Sequence, residues 1–68
     1  MLNNVREFRE KKGLTQEQFA NLVGVSRQSI ISVEKGHYIP TTILALRIAS
    51  VLSAKIEDLF ILEKRDWK

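Results

Sequence analysis

Apolar residues recur along this chain in short helical patterns that glycines interrupt. Gly13, Gly24 and Gly36 end the first three patterns, and Pro40 precedes the fourth. Within each pattern the apolar positions lie three or four residues apart, which is the period of an amphipathic helix and not the alternation of a strand. The sequence therefore predicts five short helices, no strand and an all-α fold.

Residues suited to capping mark where these helices begin. Helix 1 is predicted from about Asn3 to Lys12, and helix 5 from about Ile56 to Phe60. Thr15 and Gln18 form a capping-box pattern at the start of helix 2. The predicted N-caps of helices 3 and 4 are Ser26 and Thr41. Helix 5 follows Ser-Ala-Lys and lacks a comparable cap, so we expect its start to be weaker.

The segment from Gln16 to Lys35 meets the steric demands of two helices that cross at a steep angle. Only residues 24–26 separate helix 2 from helix 3, and Gly24 suits the positive φ that such a turn requires. Small or apolar side chains occupy the positions that face the other helix or the core: Phe19, Ala20, Val23, Val25, Ile30 and Val33. The spacing predicts a helix-turn-helix over residues 16–35.

The side of helix 3 that faces away from this core is unusual, because it lacks the mixed Glu and Lys of most solvated helices. It presents Arg27, Gln28, Ile31, Ser32 and Lys35. Arg, Gln and Ser side chains match the hydrogen-bonding edges of bases, and an isoleucine packs on a thymine methyl group. These residue types favour contact with duplex DNA, and the alternative is an ordinary solvated surface.

The charge distribution is compatible with an anionic partner. The net charge is +3, and Glu34 is the only acidic residue between positions 18 and 56. A surface with few carboxylates and many short hydrogen-bonding side chains suits a phosphate backbone. Chance in a short sequence explains the same distribution equally well, so the charge alone decides nothing.

The composition limits the classes of function. With 68 residues and no cysteine, the chain is expected to form one domain, residues 1–68, without disulfides. The single histidine, His37, does not suffice for a metal site. The sequence has no nucleophile–base pair and no phosphate-cradling glycine loop, so neither an enzyme nor a cofactor is expected. No apolar run is long enough to span a membrane, which favours a cytoplasmic protein.

The chain resembles the Cro-repressor-type, or lambda-repressor-like, helix-turn-helix family, also called the xenobiotic-response-element family. Three stretches carry the resemblance: LTQEQFANLVGVSRQSI, VEKGHYIP and IEDLF. The resemblance implies a five-helix fold that binds double-stranded DNA as a homodimer. It also implies a transcriptional regulator, most often a repressor, that places helix 3 in the major groove of a palindromic operator.

The resemblance also implies roles for individual residues. The family's base-reading positions correspond here to Arg27, Gln28, Ile31 and Ser32. The glutamine that clamps the phosphate backbone corresponds to Gln16. Further residues expected to position the backbone are Ser26, Lys35, His37 and Thr41. For His37 the simpler interpretation is a solvated loop residue, and Tyr38 is expected to pack with its hydroxyl group at the surface.

A buried ion pair is expected between helices 1 and 3. Glu34 falls near the buried side of helix 3, where a carboxylate needs a partner. Arg9 lies four residues after Val5 on the inward face of helix 1. The family has an Arg–Glu pair at these positions, so the resemblance supports a salt bridge between Arg9 and Glu34.

Two further features leave alternatives open. The apolar tail residues Phe60, Ile61 and Leu62 suit a dimer interface within residues 60–68, and a frayed terminus is the alternative. Leu22 and Ile43 replace residues that are usually polar in the family. They are either isolated exposed residues or a contact for a second protein, such as the toxin of a toxin–antitoxin pair. A protein-interaction module that does not bind DNA is the competing class of function.

Overall fold

A computed structural model describes residues 1–67, and most of them are helical. The helices are α1 (Val5–Lys11), α2 (Gln16–Val23), α3 (Arg27–Glu34), α4 (Thr42–Leu52) and α5 (Ile56–Leu59). Two short strands are β1 (Leu2–Asn3) and β2 (Phe60–Ile61), and a 3-10 helix covers Lys64–Trp67. All five predicted helices are therefore present. Lys68, the last residue of the predicted tail, lies outside the described residues.

Side-chain caps fix the starts of α2, α3 and α4. The Thr15 hydroxyl accepts a hydrogen bond from the Gln18 backbone N–H, and Gln18 Oε1 accepts one from the Thr15 N–H. The other capping side chains are Ser26 and Thr41. By contrast, Lys55 makes no capping hydrogen bond at the start of α5, as its sequence predicts. Three of the five helices thus begin at a residue that the sequence identifies.

The prediction that the chain has no strand is wrong. Leu2 lies opposite Ile61 and Asn3 opposite Phe60 in an antiparallel pair. The backbone N–H of Asn4 donates to the carbonyl of Leu59 over 2.8 Å. Each strand has two residues, which is too short for the alternation that identifies a strand. This pairing also moves the start of α1 to Val5, two residues later than predicted.

The core lies between the helices and contains side chains from all five of them. Six side chains are fully buried: Val5, Phe19, Ile30, Val33, Ile48 and Leu59. Burying a side chain of this size stabilises the fold by about 1.5–3 kcal/mol. Phe60 is half-buried and packs against this core. The first residue of the predicted dimer interface therefore contributes to the fold of its own chain.

Candidate nucleic-acid interface

The packing of α3 determines which of its side chains face outward. Ile30 and Val33 are completely buried and hold one side of the helix against the core. Gln28 lies on the opposite side and is exposed. Ile31 and Ser32 are half-buried. The base-reading positions predicted from the sequence are therefore accessible, two of them only in part.

A buried ion pair anchors α3 from behind. Arg9 Nε lies 2.6 Å from Glu34 Oε2, and a second guanidinium nitrogen of Arg9 lies 3.3 Å from Oε1. The third nitrogen of Arg9 donates to the carbonyl of Leu14 over 2.7 Å. Gln16 Nε2 also donates to Glu34 Oε1 over 3.2 Å. The carboxylate of Glu34 is thus satisfied by side chains from α1 and α2.

Two concave surfaces flank the outward side of α3. The larger, of about 850 Å³, we call the arginine groove; its lining includes Arg6, Arg9, Gln16, Asn21 and Arg27. The smaller, of about 240 Å³, we call the tyrosine notch; it is lined by Ser26, Gln28, Ser29, Ser32 and Tyr38. The predicted base-reading residues therefore divide between them, because Arg27 lines the groove whereas Gln28 and Ser32 line the notch.

Nearby carboxylates match the three arginines of the arginine groove in number. Glu34 neutralises Arg9, and Glu10 lies 3.2 Å from the exposed Arg6. Glu17 adds a carboxylate at the lining. Within residues 1–67, Arg27 forms no salt bridge. Arg27 is therefore the guanidinium of the groove that is most available to an anion.

The residues predicted to position a phosphate backbone lie at helix ends and in the loop after α3. Lys35 and His37 are exposed at and after its C-terminal end. The Ser26 and Thr41 hydroxyls accept hydrogen bonds from the Ser29 and Leu44 backbone N–H groups, so both cap helices. Gln16 is half-buried and shares its amide nitrogen with Glu34. That contact orients the Gln16 side chain at the start of α2.

The C-terminal segment is attached to the start of the chain by ion pairs as well as by β1 and β2. The Met1 α-ammonium group lies 2.7 Å from a Glu63 carboxylate oxygen and 3.3 Å from Asp66 Oδ2. The hydrogen bond to Glu63 raises the pKa of the α-amino group and lowers that of Glu63. A hydrogen bond from the Glu63 backbone N–H lowers the pKa of Asp66. The predicted interface residues Ile61 and Leu62 remain 40% and 55% exposed beside this attachment.

Sequence reasoning did not single out two residues that line these surfaces, and it expected a third, Tyr38, only to pack. Arg6 and Asn21 line the arginine groove, and Tyr38 lines the tyrosine notch. The helical period places Arg6 three residues before Arg9, so a search for cations on one side of helix 1 would have found it. The position of Tyr38 depends on the path of the loop after α3, which no periodic pattern encodes.

Other kinds of site find no support in the described part of the chain. Residues 1–67 contain no cluster of three or more His, Asp or Glu side chains placed to hold a metal ion. No helix in the same residues is long and apolar enough to cross a membrane.

Comparison with known proteins identifies the family. Residues 5–59 match the helix-turn-helix family. An uncharacterized HTH-type transcriptional regulator from Archaeoglobus fulgidus is 50% identical over 66 residues, which are 97% of this chain and 94% of that protein. A regulator of the same description from Methanothermobacter thermautotrophicus is 56% identical over 61 residues, 88% of each chain.

A solved structure extends the comparison to the fold. The restriction-modification controller protein C.AhdI from Aeromonas hydrophila is similar with a TM-score of 0.76 and 36% identity, over 82% of this chain and 85% of that one. The helical fold predicted from the sequence is therefore confirmed as lambda-repressor-like. The chain belongs to the helix-turn-helix family, as a transcriptional regulator with a DNA-binding fold and not an enzyme.

Proposed function

We propose that residues 1–68 form one domain that binds a palindromic operator in duplex DNA as a homodimer and represses transcription. The observation that carries this proposal is the outward side of α3, where Arg27, Gln28, Ile31 and Ser32 face away from a core that holds the helix rigidly. The major groove admits an α-helix, and these side chains are suited to reading base edges there. Such a protein would act in the cytoplasm, without a cofactor.

Contacts to the phosphate backbone would set the position of α3 in the groove. Lys35 and His37 lie at one end of the helix, and Gln16 lies at the start of α2 beside the arginine groove. The capped helix starts at Ser26 and Thr41 add backbone N–H groups that favour anions. We assign these five residues to backbone positioning and not to base reading.

A homodimer would supply the specificity that one short helix lacks. Two α3 helices about 34 Å apart meet successive major grooves of a palindromic site. The exposed side chains of Ile61 and Leu62 supply apolar surface for a two-fold contact. Because β2 pairs with β1, the backbone that carries Ile61 is already paired within its own protomer.

Selection of binding sites from random duplex DNA tests this function. The wild-type protein should enrich a palindrome, and Gln28→Ala should relax the preference at one base pair in each half-site. Lys35→Ala is the matched control, since loss of a phosphate contact should weaken binding to all sequences alike and leave the preferred palindrome unchanged. Failure of the folded wild-type protein to enrich any sequence would contradict the proposal.

A second candidate is a protein-interaction module or antitoxin, favoured by two exposed apolar side chains. Leu22 is 60% exposed and Ile43 is 67% exposed. An apolar contact with a toxin or another protein would bury them and would depend little on salt, whereas DNA binding weakens steeply as salt increases. Substitution of both residues by Gln should abolish the protein contact. In an antitoxin it should leave DNA binding unchanged, whereas an interaction module should bind no DNA in either form.

A further inference from the structure

The loop after α3 adds an aromatic wall to the outward side of that helix. In the tyrosine notch, Tyr38 from the loop faces Gln28 and Ser32, which lie one helical turn apart on α3. Tyr38 is 42% exposed, so more than half of its surface is covered by the protein. A ring in this position offers an apolar surface next to two polar side chains.

The polar groups of the tyrosine notch divide into two sets. The Ser26 and Ser29 hydroxyls lie 3.0 Å apart and bond to each other, and Ser26 Oγ also accepts the Ser29 backbone N–H over 3.1 Å. In contrast, the side chains of Gln28, Ser32 and Tyr38 form no hydrogen bond with any of residues 1–67. The second set is available to a bound ligand.

The notch therefore suits a surface that carries an apolar group next to hydrogen-bonding atoms. An A·T pair presents such a surface in the major groove: the thymine C5-methyl group, thymine O4, and adenine N6 and N7. A glutamine pairs with adenine N6 and N7. The tyrosine ring is placed to cover a methyl group while Gln28 bonds to a neighbouring base edge.

We propose that Tyr38 is a specificity-determining residue, whose ring holds the methyl group of a thymine in the tyrosine notch. The inference rests on the proposed DNA binding by α3, and it adds a loop residue to the set that reads bases. Ile31 does not line the notch. A methyl contact of Ile31 is therefore tested separately from that of Tyr38.

Replacement of single thymines by 2′-deoxyuridine tests the proposal, because it removes only the methyl group. The probe is the palindrome enriched by the wild-type protein. Each thymine of one half-site is replaced in turn, together with the equivalent thymine of the other half-site. The dissociation constant is measured for the wild type, Tyr38→Ala, Tyr38→Phe and Ile31→Ala at one salt concentration. Thermal unfolding of each variant checks that it is folded, and Tyr38→Gln provides a second variant without the ring.

The notch position is the thymine whose methyl group Tyr38 contacts. For the wild type, we expect the ratio of the dissociation constants for the uracil and thymine duplexes at this position to be about four for each half-site. This is the contribution of one buried methyl group. Tyr38→Ala and Tyr38→Gln should reduce this ratio to about one at that position only, and Tyr38→Phe should retain it. Ile31→Ala should leave the ratio at the Tyr38 position unchanged.

Two results would overturn the assignment, and they differ in what they imply. If the protein enriches a palindrome but the uracil ratios are the same in Tyr38→Ala and wild type at every position, Tyr38 does not read thymine, and the proposed function stands. If the folded wild-type protein enriches no sequence, both the proposed function and this inference fail.

Discussion

Arg9 Nε lies 2.6 Å from Glu34 Oε2, and the two side chains are only 9% and 4% exposed. This contact joins α1 to the last residue of α3. Because Gln16 on α2 donates to the same carboxylate, three helices meet at Glu34. The outward side of α3 therefore keeps a fixed orientation relative to the arginine groove.

Loss of the arginine from this pair should destabilise the fold strongly. Arg9→Ala leaves the Glu34 carboxylate buried without its charge partner, which costs about 3–5 kcal/mol. Urea unfolding monitored by circular dichroism measures the change in the free energy of unfolding. A loss of this size is a large part of the stability of so small a domain.

Arg6→Ala is the matched control for that prediction. Arg6 forms an ion pair with Glu10 over 3.2 Å, but the two side chains are 70% and 53% exposed. Such a pair contributes roughly 0–1 kcal/mol. Equal stability losses for Arg9→Ala and Arg6→Ala would show that the buried pair is not an anchor.

The turn between α4 and α5 contains a residue that glycine should improve. Ser53 has φ 52° and ψ 43°, a left-handed conformation that costs a non-glycine residue about 1–2 kcal/mol. Ser53→Gly removes this cost but adds freedom to the unfolded chain and loses the exposed hydrogen bond from Lys12. We expect a net stabilisation of roughly 0.5–1 kcal/mol, measured by thermal unfolding.

Ser50→Gly tests whether the gain belongs to the left-handed conformation. Ser50 lies within α4 and is exposed, so glycine there should destabilise by about 0.5 kcal/mol. Stabilisation by both substitutions, or by neither, would contradict the account of Ser53.

Local chemistry explains how much of this structure the sequence predicts. Thr15, Ser26 and Thr41 cap helices because the capping interaction spans only three residues. The pairing of Leu2 with Ile61 joins the two ends of the described chain through two-residue strands, so no local pattern encodes it. The sequence places Tyr38 in the loop after helix 3, but its position beside Gln28 follows from the path of that irregular loop.

The attachment of the C-terminal segment should depend on pH at both extremes. The α-amino group of Met1 has a pKa raised above its usual value of 8.0, so it stabilises the attachment fully below pH 8.0. This stabilisation is lost as the pH rises through the higher pKa of the folded state. Glu63 and Asp66 have pKa values lowered below their usual 4.5 and 3.8, so each stabilises the attachment fully above that pH. This stabilisation is lost as the pH falls through the lower pKa values of the folded state.

Amide chemical shifts of Leu2 and Ile61, followed by NMR, should therefore report paired strands between about pH 4.5 and 8 and change beyond both limits. Glu63→Gln should narrow this range from the alkaline side. Glu57→Gln, on α5 and outside the attachment, serves as the control. Identical titrations of Ile61 in wild type and Glu63→Gln would contradict the role of the ion pair.

The proposed dimer interface has a closely matched control. Leu62 is 55% exposed in the tail, and Leu46 is 54% exposed on α4. Leu62→Glu should raise the dissociation constant of the homodimer by about tenfold or more, because the charge would be buried at the contact. Leu46→Glu should leave it unchanged. Sedimentation measurements over a range of concentrations distinguish the two, and equal effects would place the interface elsewhere.

The dependence of affinity on salt, measured for the selected palindrome and for a shuffled duplex, tests the central claim most directly. If each protomer contacts two phosphates through cations such as Lys35, the dimer neutralises about four. The association constant should then fall roughly a hundredfold between 50 and 200 mM salt, while the palindrome remains preferred over the shuffled duplex at every concentration. An affinity that is insensitive to salt, or equal for the two duplexes, would contradict sequence-specific DNA binding by α3.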